Sequence, residues 1–257
     1  MTLVSSHFTR LGRAGRGLLG IAILALVWEY VPRLGLVNNY FLPPLHEVLH
    51  AWWGQLRDGE LLRNLRASAV RSGIGFGIAI VTAIPIGVAI AWYRPVRDIL
   101  TPPLEVFRNT AALALLPVFT LILGIGETSK IAIVVYACFF PILLSTITGV
   151  ATVDPQLLRS AKVLGLSPQA TFRKVVFPAA VPTIFTGIRI SGAAAILVLI
   201  AAELVGATAG LGFLINYNEQ NFLIPQMYAA ILTTTLLGLA VNYALVILER
   251  RFSRWRA

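Results

Sequence analysis

The chain has little charge and almost no cysteine. Of its 257 residues, 12% are charged and 57% are hydrophobic, which excludes an ordinary soluble domain. The single cysteine, Cys138, lies in an apolar run. One cysteine excludes an intrachain disulfide and a multi-cysteine metal site, so we expect Cys138 to be a small core residue.

Side chains that could catalyse a reaction are equally scarce. The histidines are His7, His46 and His50, and none has a cysteine or a paired acid at ligand spacing. His46 and His50 stand four apart with Glu47 nearby, a weak metal signal that surface histidines explain more simply. The sequence has no Gly-Lys-Ser/Thr phosphate loop, so we do not expect it to bind ATP in that way. We therefore expect no cofactor, metal or enzymatic activity, and an energy source in a partner or an ion gradient.

Long apolar runs dominate the sequence instead. A helix rises 1.5 Å per residue, so about 20 residues cover the hydrocarbon core of a membrane. No run alternates as a barrel strand does. The first run continues through Trp28 and Tyr30, which favours an uncleaved helix over a signal peptide. We predict an all-α membrane protein with six transmembrane helices at about 17–36, 73–93, 99–125, 129–150, 183–205 and 225–248.

Lysine and arginine predict the orientation of these helices. With a cytoplasmic N-terminus, fourteen of these cations lie in cytoplasmic segments and six outside, as the positive-inside rule requires. The net charge of +10 then reflects orientation rather than nucleic-acid binding, although the first outer connection is more basic than the rule prefers. The inner cations are Arg10, Arg13, Arg16, Arg94, Arg97, Arg108, Arg159, Lys162, Arg173, Lys174, Arg250, Arg251, Arg254 and Arg256; the outer ones are Arg33, Arg57, Arg63, Arg66, Arg71 and Lys130.

This orientation divides the chain into five parts, with both termini in the cytoplasm. They are a cytoplasmic N-terminal segment (1–16), a peripheral first transmembrane helix (17–36), an extracytoplasmic connection (37–72), a core (73–250) with a cytoplasmic loop at 151–182, and a cytoplasmic tail (251–257).

The cytoplasmic loop holds the longest polar interval between two apolar runs. Asp154 followed by proline is typical of a helix start, and Gly165 of a helix end. Ser167 and the proline after it predict a second start. The prolines expected to end the second helix are Pro178 and Pro182. The loop therefore predicts a rigid helix-turn-helix with residues 165–167 at its tip; an amphipathic hairpin lying on lipid headgroups is the alternative.

This loop resembles the cytoplasmic loop of importer-type ATP-binding cassette permeases, where Glu-Ala-Ala, three residues, Gly, nine residues and Ile-x-Leu-Pro follow one another. Ala161, Gly165 and Pro178 match that pattern, whereas Arg159 replaces the acidic residue. Residues 109–112 depart from the proline-rich sequence of relatives, which leaves the substrate open. Three further stretches resemble the nitrate, sulfonate and taurine branch: FLPPLHEVL from residue 41, GIGETSKI at 124–131 and AAELVGATAGLGFLI at 201–215.

The resemblance implies a type I importer permease in the bacterial inner membrane. Its implied partners are a second copy of the chain, two ATPase subunits that bind ATP and magnesium, an extracytoplasmic solute-binding protein and the lipid bilayer. The implied substrate is a small anion such as a sulfonate, taurine or nitrate. A secondary carrier or a small channel is the alternative, but a carrier needs buried ionisable residues and often an inverted repeat, and the two halves show no convincing repeat.

The resemblance also implies where the loop acts. In the family this loop inserts into a groove of the ATPase, and Gly165 is expected to sit where a side chain would block the turn. Candidates for the translocation path or gate are Pro117, Arg189 and Glu203. Arg189 is expected to meet an anionic substrate or to pair with a carboxylate or backbone carbonyls of the bundle. The implied ATPase-coupling residues are Arg159, Ser160, Ala161, Leu164, Gly165, Leu166, Ser167, Pro168, Phe172 and Pro178.

Overall fold

The computed structural model describes residues 4–252 and, within them, the side chains of residues 19–251. Every regular element in that part of the chain is helical, which confirms the all-α class there. The side chains of the predicted N-terminal segment and of nearly all of the predicted tail lie outside the described residues. The chain divides into two compact units, the first made of residues up to 62 with 215–231, and the second of residues 63–214 with those from 232 onward.

The helices follow one another with short connections. In chain order they are α1 (Val4–Arg33), α2 (Leu45–Arg57), α3 (Glu60–Trp92), α4 (Arg94–Asn109), a 3-10 turn (Ala112–Leu115), α5 (Leu116–Leu123), α6 (Glu127–Ala151), α7 (Pro155–Val163), α8 (Pro168–Thr171), a π turn (Phe172–Val176), α9 (Phe177–Glu203), α10 (Leu211–Gln220) and α11 (Ile224–Phe252).

In the first unit, a carboxylate joins α1 to α2. Glu29 accepts a hydrogen bond from the His46 backbone N–H at 3.0 Å, and its other oxygen lies 3.0 Å from the His46 ring Nδ1. Because Pro44, the N-cap residue of α2, has no capping side chain, Glu29 takes over that role. Arg33 pairs with Glu29 as well. His46 is therefore an exposed histidine that ties two helices together.

In the second unit, α6 and α9 pack closely against each other. Small residues let their backbones approach: a Cβ at Gly149 would lie 3.1 Å from the Ala180 carbonyl oxygen. Cys138 is fully buried, as predicted. Its thiol donates to the Ser191 carbonyl at 3.4 Å, and the Ser191 hydroxyl donates to the Cys138 carbonyl at 3.2 Å. The lone cysteine is thus a core residue that also joins the two helices.

Within the described chain, four helical stretches are long and apolar enough to cross a membrane. These are α3, α6, the run from Pro168 to Glu203, and α11 from Ile224 to Arg251. The pair formed by α4 and residues 112–123 makes a fifth if it counts as one span. The first predicted span begins among side chains outside the described residues, so the count of six stays a prediction.

The predicted third span, 99–125, is not one straight helix. It is broken at Thr110 and Ala111, whose backbones are extended, and the axes on either side differ by 82°. The physical reason lies in α4, which carries five charged side chains on one face and is strongly amphipathic. Such a helix is stable at a polar boundary, whereas its charges would be costly in hydrocarbon.

Two predicted helix boundaries are also wrong. The boundary predicted between the connection at 37–72 and the span at 73–93 does not exist, because one continuous helix, α3, runs from Glu60 to Trp92. Pro178 and Pro182 do not end the second helix of the loop, because the chain stays helical from Pro168 to Glu203. A π turn precedes Pro178, and there the Phe177 N–H bonds the Phe172 carbonyl. This wider turn admits a proline, which has no N–H to donate, into a helix that continues.

Candidate functional site

The loop at 151–182 forms the predicted helix-turn-helix. The Asp154 side chain accepts from the Gln156 N–H at 2.8 Å and caps α7, and Ser167 Oγ accepts from the Ala170 N–H at 3.3 Å and caps α8. Between them Gly165 has a φ of +69°. The expected helix starts and the glycine stop are therefore confirmed as local structure.

The backbone conformation at position 165, rather than a lack of space, favours glycine. A Cβ at this position would meet no atom of the described chain within 4 Å. The expectation that a side chain would block the turn is therefore corrected: the left-handed φ is what disfavours other residues. Asparagine tolerates this φ far better than a β-branched residue does.

The tip of the hairpin exposes apolar side chains. Val163 is 88% exposed and Leu164 is 76% exposed, although both are apolar. Elsewhere in the hairpin, Ala161 is buried and the Phe172 ring lies 5.2 Å from the Trp92 ring. The hairpin is thus anchored at its base and presents an apolar tip. Of the remaining coupling candidates, Leu166 is half-buried, and Arg159, Ser160, Gly165, Ser167, Pro168 and Pro178 are exposed.

The structure does not bring the three candidates for the path or gate together. Arg189 and Glu203 lie on the same helix, α9, fourteen residues apart, about 21 Å at 1.5 Å per residue. The Arg189 Nη1 lies 3.3 Å from a carboxylate oxygen of Glu249 on α11, and its side chain is 47% exposed. Pro117 is exposed in the first turn of α5, where it starts a helix. Of the two roles expected for Arg189, the structure provides a partner for the pairing role.

Glu203, by contrast, is buried in a polar cluster at the end of α9. One carboxylate oxygen accepts from the Ser68 hydroxyl at 2.7 Å and from the Gly212 N–H at 3.0 Å. The other accepts from Arg71 Nη1 at 2.6 Å. We call Asn64, Ser68, Arg71, Glu127 and Glu203 the Arg71 cluster.

Arg71 is the centre of that cluster. Its Nε and Nη2 both contact the Glu127 carboxylate, and its Nη1 also donates to the Ala209 carbonyl at 2.6 Å. Two carboxylates thus surround one buried guanidinium, an arrangement that suits the planar fork of arginine. Nearby, the buried Lys130 donates to the Gly126 carbonyl at 3.2 Å.

This cluster was not predicted, because in the sequence Arg71 stands out only as an outer cation. A usable signal was present. Asn64, Ser68 and Arg71 are spaced by four and three residues, so they share one face of a helix, although the same stretch also contains Arg63 and Arg66. A polar stripe on an apolar helix requires internal partners. Among the described residues, no group of three His, Cys, Asp or Glu could hold a metal ion.

Comparison with known proteins agrees with this architecture. A family model described as a binding-protein-dependent transport system inner membrane component matches residues 83–254. The taurine transport system permease protein TauC of Escherichia coli (strain K12) is 35% identical over 240 residues, which cover 91% of this chain and 87% of that protein. The nitrate import permease protein NrtB of a Synechocystis strain is 30% identical over 243 residues, covering 91% and 87%.

A further relative and a solved structure complete the comparison. The putative aliphatic sulfonates transport permease protein SsuC of Bacillus subtilis (strain 168) is 31% identical over 241 residues, which cover 94% of this chain and 87% of that protein. An inward-facing structure of the MetNI methionine ABC transporter matches with a TM-score of 0.64 at 18% identity, over 78% of this chain and 99% of that chain. At that identity the structural match supports the fold alone.

Proposed function

Because the chain belongs to the family of binding-protein-dependent transport system inner membrane components, we propose that it is the permease subunit of an ATP-driven importer. Its substrate is a small anion, such as a sulfonate, taurine or nitrate, carried across the bacterial inner membrane. The observation that carries the substrate class is the similarity to permeases named for taurine, aliphatic sulfonates and nitrate over about nine-tenths of the chain. The chain itself is a transport subunit and not an enzyme.

Energy for transport comes from a separate ATPase, which binds ATP and magnesium. The hairpin at residues 154–172 docks into that ATPase through its tip. The support is its geometry: two capped helices hold Val163 and Leu164 out from the chain, where they remain uncovered. Apolar side chains held out on a rigid turn are typical of a docking element.

A pair of substitutions at Gly165 tests this coupling. Gly165→Val forces a β-branched residue into a φ of +69° and is expected to abolish association with the ATPase or ATP-driven uptake. Gly165→Asn tolerates that φ and is expected to keep most of both activities. Co-purification of the ATPase and uptake are measured for each variant. Normal association and uptake in the valine variant would contradict the docking role.

We place the transport path between two copies of the chain, lined by parts of α5 and α9. Pro117, Arg189 and Glu203 lie in or beside this path, with Glu203 in its gate because its carboxylate is buried and hydrogen-bonded. The first helix, 17–36, is peripheral, and residues 73–250 make the core. The hairpin faces the cytoplasm, and residues 206–210 face outward toward the solute-binding protein.

Reconstitution tests the substrate and the energy source together. The permease is placed in liposomes with candidate ATPase and solute-binding proteins from the same organism. Uptake of taurine, methanesulfonate and nitrate is then measured with and without ATP on the ATPase side. We expect ATP-dependent uptake of at least one of these anions. Uptake driven by an ion gradient without ATP would identify a secondary carrier instead.

A further inference from the structure

We propose that Arg71 is the positioning residue of the outer gate, held by one fixed carboxylate, Glu203, and one releasable carboxylate, Glu127. The proposal rests on the importer function and on the orientation given above. Arg71 lies on α3, Glu203 ends α9, and Glu127 begins α6. A single guanidinium therefore joins three helices at one end of the core, and it also binds the connection after α9 through Ala209.

We call the Arg71–Glu203 pair the fixed arm and the Arg71–Glu127 pair the releasable arm. The carboxylate of the fixed arm is not exposed. The side chain of Glu203 has no accessible surface, and Ser68, Arg71 and the Gly212 N–H all donate to it. A Cβ at Gly210 would overlap that carboxylate, so only glycine permits the close approach. Separating this arm would leave a buried charge without its partner, which is strongly destabilising.

Two more hydrogen bonds attach the connection after α9 to α3. The Gly210 N–H donates to Asn64 Oδ1 at 2.9 Å, and the Leu211 N–H donates to Ser68 Oγ at 2.8 Å. The start of α10 is thus bonded to the same face of α3 that carries Arg71. This side of the cluster behaves as one rigid assembly.

The releasable arm differs in its access to water. The Glu127 side chain is 61% exposed, although it receives two bonds from Arg71. After separation its carboxylate would be hydrated, so releasing it is far less costly than releasing Glu203.

Glu127 also stands beside a joint. Gly124, with a φ of +81°, and Gly126 lie between the end of α5 and Glu127. Small residues at such a connection absorb backbone rotation. Because α5 is a lining candidate, the Glu127 contact with Arg71 would hold the outer end of α5 against α3 when the gate is closed. Opening the gate would break this contact and leave the Glu203 arm intact.

Binding of a substrate anion by Arg71 explains the arrangement less well than gating does. A free anion would have to displace a carboxylate that is already tethered beside Arg71 and forms two bonds with it. Tethering raises the effective concentration of Glu127 into the millimolar range or above. We therefore assign the exposed arm to gating and treat ligand exchange as an outcome of the test.

The test uses a buried reporter two residues from Glu127. Ser129 is fully buried, so Ser129→Cys in a Cys138→Ser background gives one thiol that reacts only when the start of α6 moves. The full-length permease is labelled in membranes with a water-soluble maleimide. Glu127→Gln is expected to speed labelling roughly tenfold, since it removes a charge-assisted pair. The matched control is Glu105→Gln, which breaks an exposed pair with Arg108 and should change nothing.

A double-mutant comparison separates positioning from general destabilisation. Arg71→Lys keeps a cation for Glu203 but loses the fork for Glu127, so it should label like Glu127→Gln with normal protein levels. The double variant should label no faster than either single variant. Equal labelling of the Ser129→Cys reporter with and without Glu127→Gln, or additive effects in the double variant, overturns the proposal. Faster labelling of the otherwise unchanged Ser129→Cys reporter on adding taurine alone would also overturn it, in favour of ligand exchange at Arg71.

ATP hydrolysis supplies a second measurement. With the ATPase bound, Glu127→Gln is expected to raise ATP hydrolysis in the absence of the solute-binding protein. The gate of this variant would open without docking of the solute-binding protein. A merely structural loss would lower it. The labelling experiment needs neither partner, so it still decides the gate proposal if the wild-type complex transports no anion and the importer function fails.

Discussion

At the residue scale, two neighbouring glycines of α3 have opposite surroundings. A Cβ at Gly75 would lie 2.8 Å from Val134 Cβ and 3.1 Å from the Ile131 carbonyl oxygen, whereas a Cβ at Gly77 would meet nothing within 4 Å. We expect Gly75→Ala to destabilise the protein by about 1–3 kcal/mol, since it overpacks the contact between α3 and α6. Gly77→Ala, the matched control, should be neutral or slightly stabilising. Thermal unfolding in detergent measures both, and equal melting temperatures would contradict the packing.

Arg189 gives a second prediction at this scale. Its pairing with Glu249 predicts that Arg189→Gln and Glu249→Gln share one defect and that the double variant is no worse. Arg189→Lys should retain part of the function, because a lysine can still pair with Glu249. Assembly, ATP hydrolysis and uptake are measured separately. If only Arg189→Gln loses uptake, while it assembles and hydrolyses ATP normally, Arg189 contacts the substrate instead.

Residues whose role is local were the easiest to predict from the sequence. Asp154, Ser167 and Gly165 act within one turn of the chain, so their identities indicated two caps and a stop, and the structure has them. Glu203 was singled out, but its partners were not, because Ser68 and Arg71 are more than 130 residues away in the chain. Long-range partners follow from packing, which a local pattern does not contain.

At the element scale, it was harder to predict where a helix is continuous or broken than where it lies in the sequence. The apolar runs behind α6 and α11 were located to within a few residues. Prolines at 102, 103 and 117 indicated an interruption of the third run. Its position was not predicted, because Thr110 and Ala111 carry no strong turn signal and the charges of α4 were merged with the apolar residues after them. Conversely, prolines predicted an end to the second loop helix, but a π turn lets the helix continue.

The difference in exposure between two faces of α9 gives a prediction for this helix. Ala193 is exposed in the single chain, whereas Ala195, two residues further along, is buried. In a Cys138→Ser background we expect Ala193→Cys to react with a water-soluble thiol reagent in the assembled complex and Ala195→Cys to stay protected. Both substitutions are small, so they serve as matched controls for each other. Protection of both thiols would place this face of α9 against lipid or protein and contradict the lining role.

At the scale of the whole molecule, carboxylates of the chain pair with two of the arginines that the proposed orientation places outside. Arg71 lies between Glu127 and Glu203, and Arg33 pairs with Glu29. The count of Lys and Arg in the sequence included both arginines as unpaired outer charges. The positive-inside rule counts Lys and Arg rather than net charge, so both paired arginines still count as outer cations and the proposed orientation needs a direct test.

Two exposed positions predict the orientation directly. Val163 lies at the hairpin tip, and Thr208 lies in the connection after α9; both are exposed. In a Cys138→Ser background, Thr208→Cys should react with a membrane-impermeant maleimide in intact cells. Val163→Cys should react only after the membrane is permeabilised, because the hairpin must face the compartment that holds ATP. Labelling of both thiols in permeabilised membranes is the control for reactivity. The reverse pattern, with Val163→Cys labelled in intact cells, would place the hairpin outside and rule out its docking to a cytoplasmic ATPase.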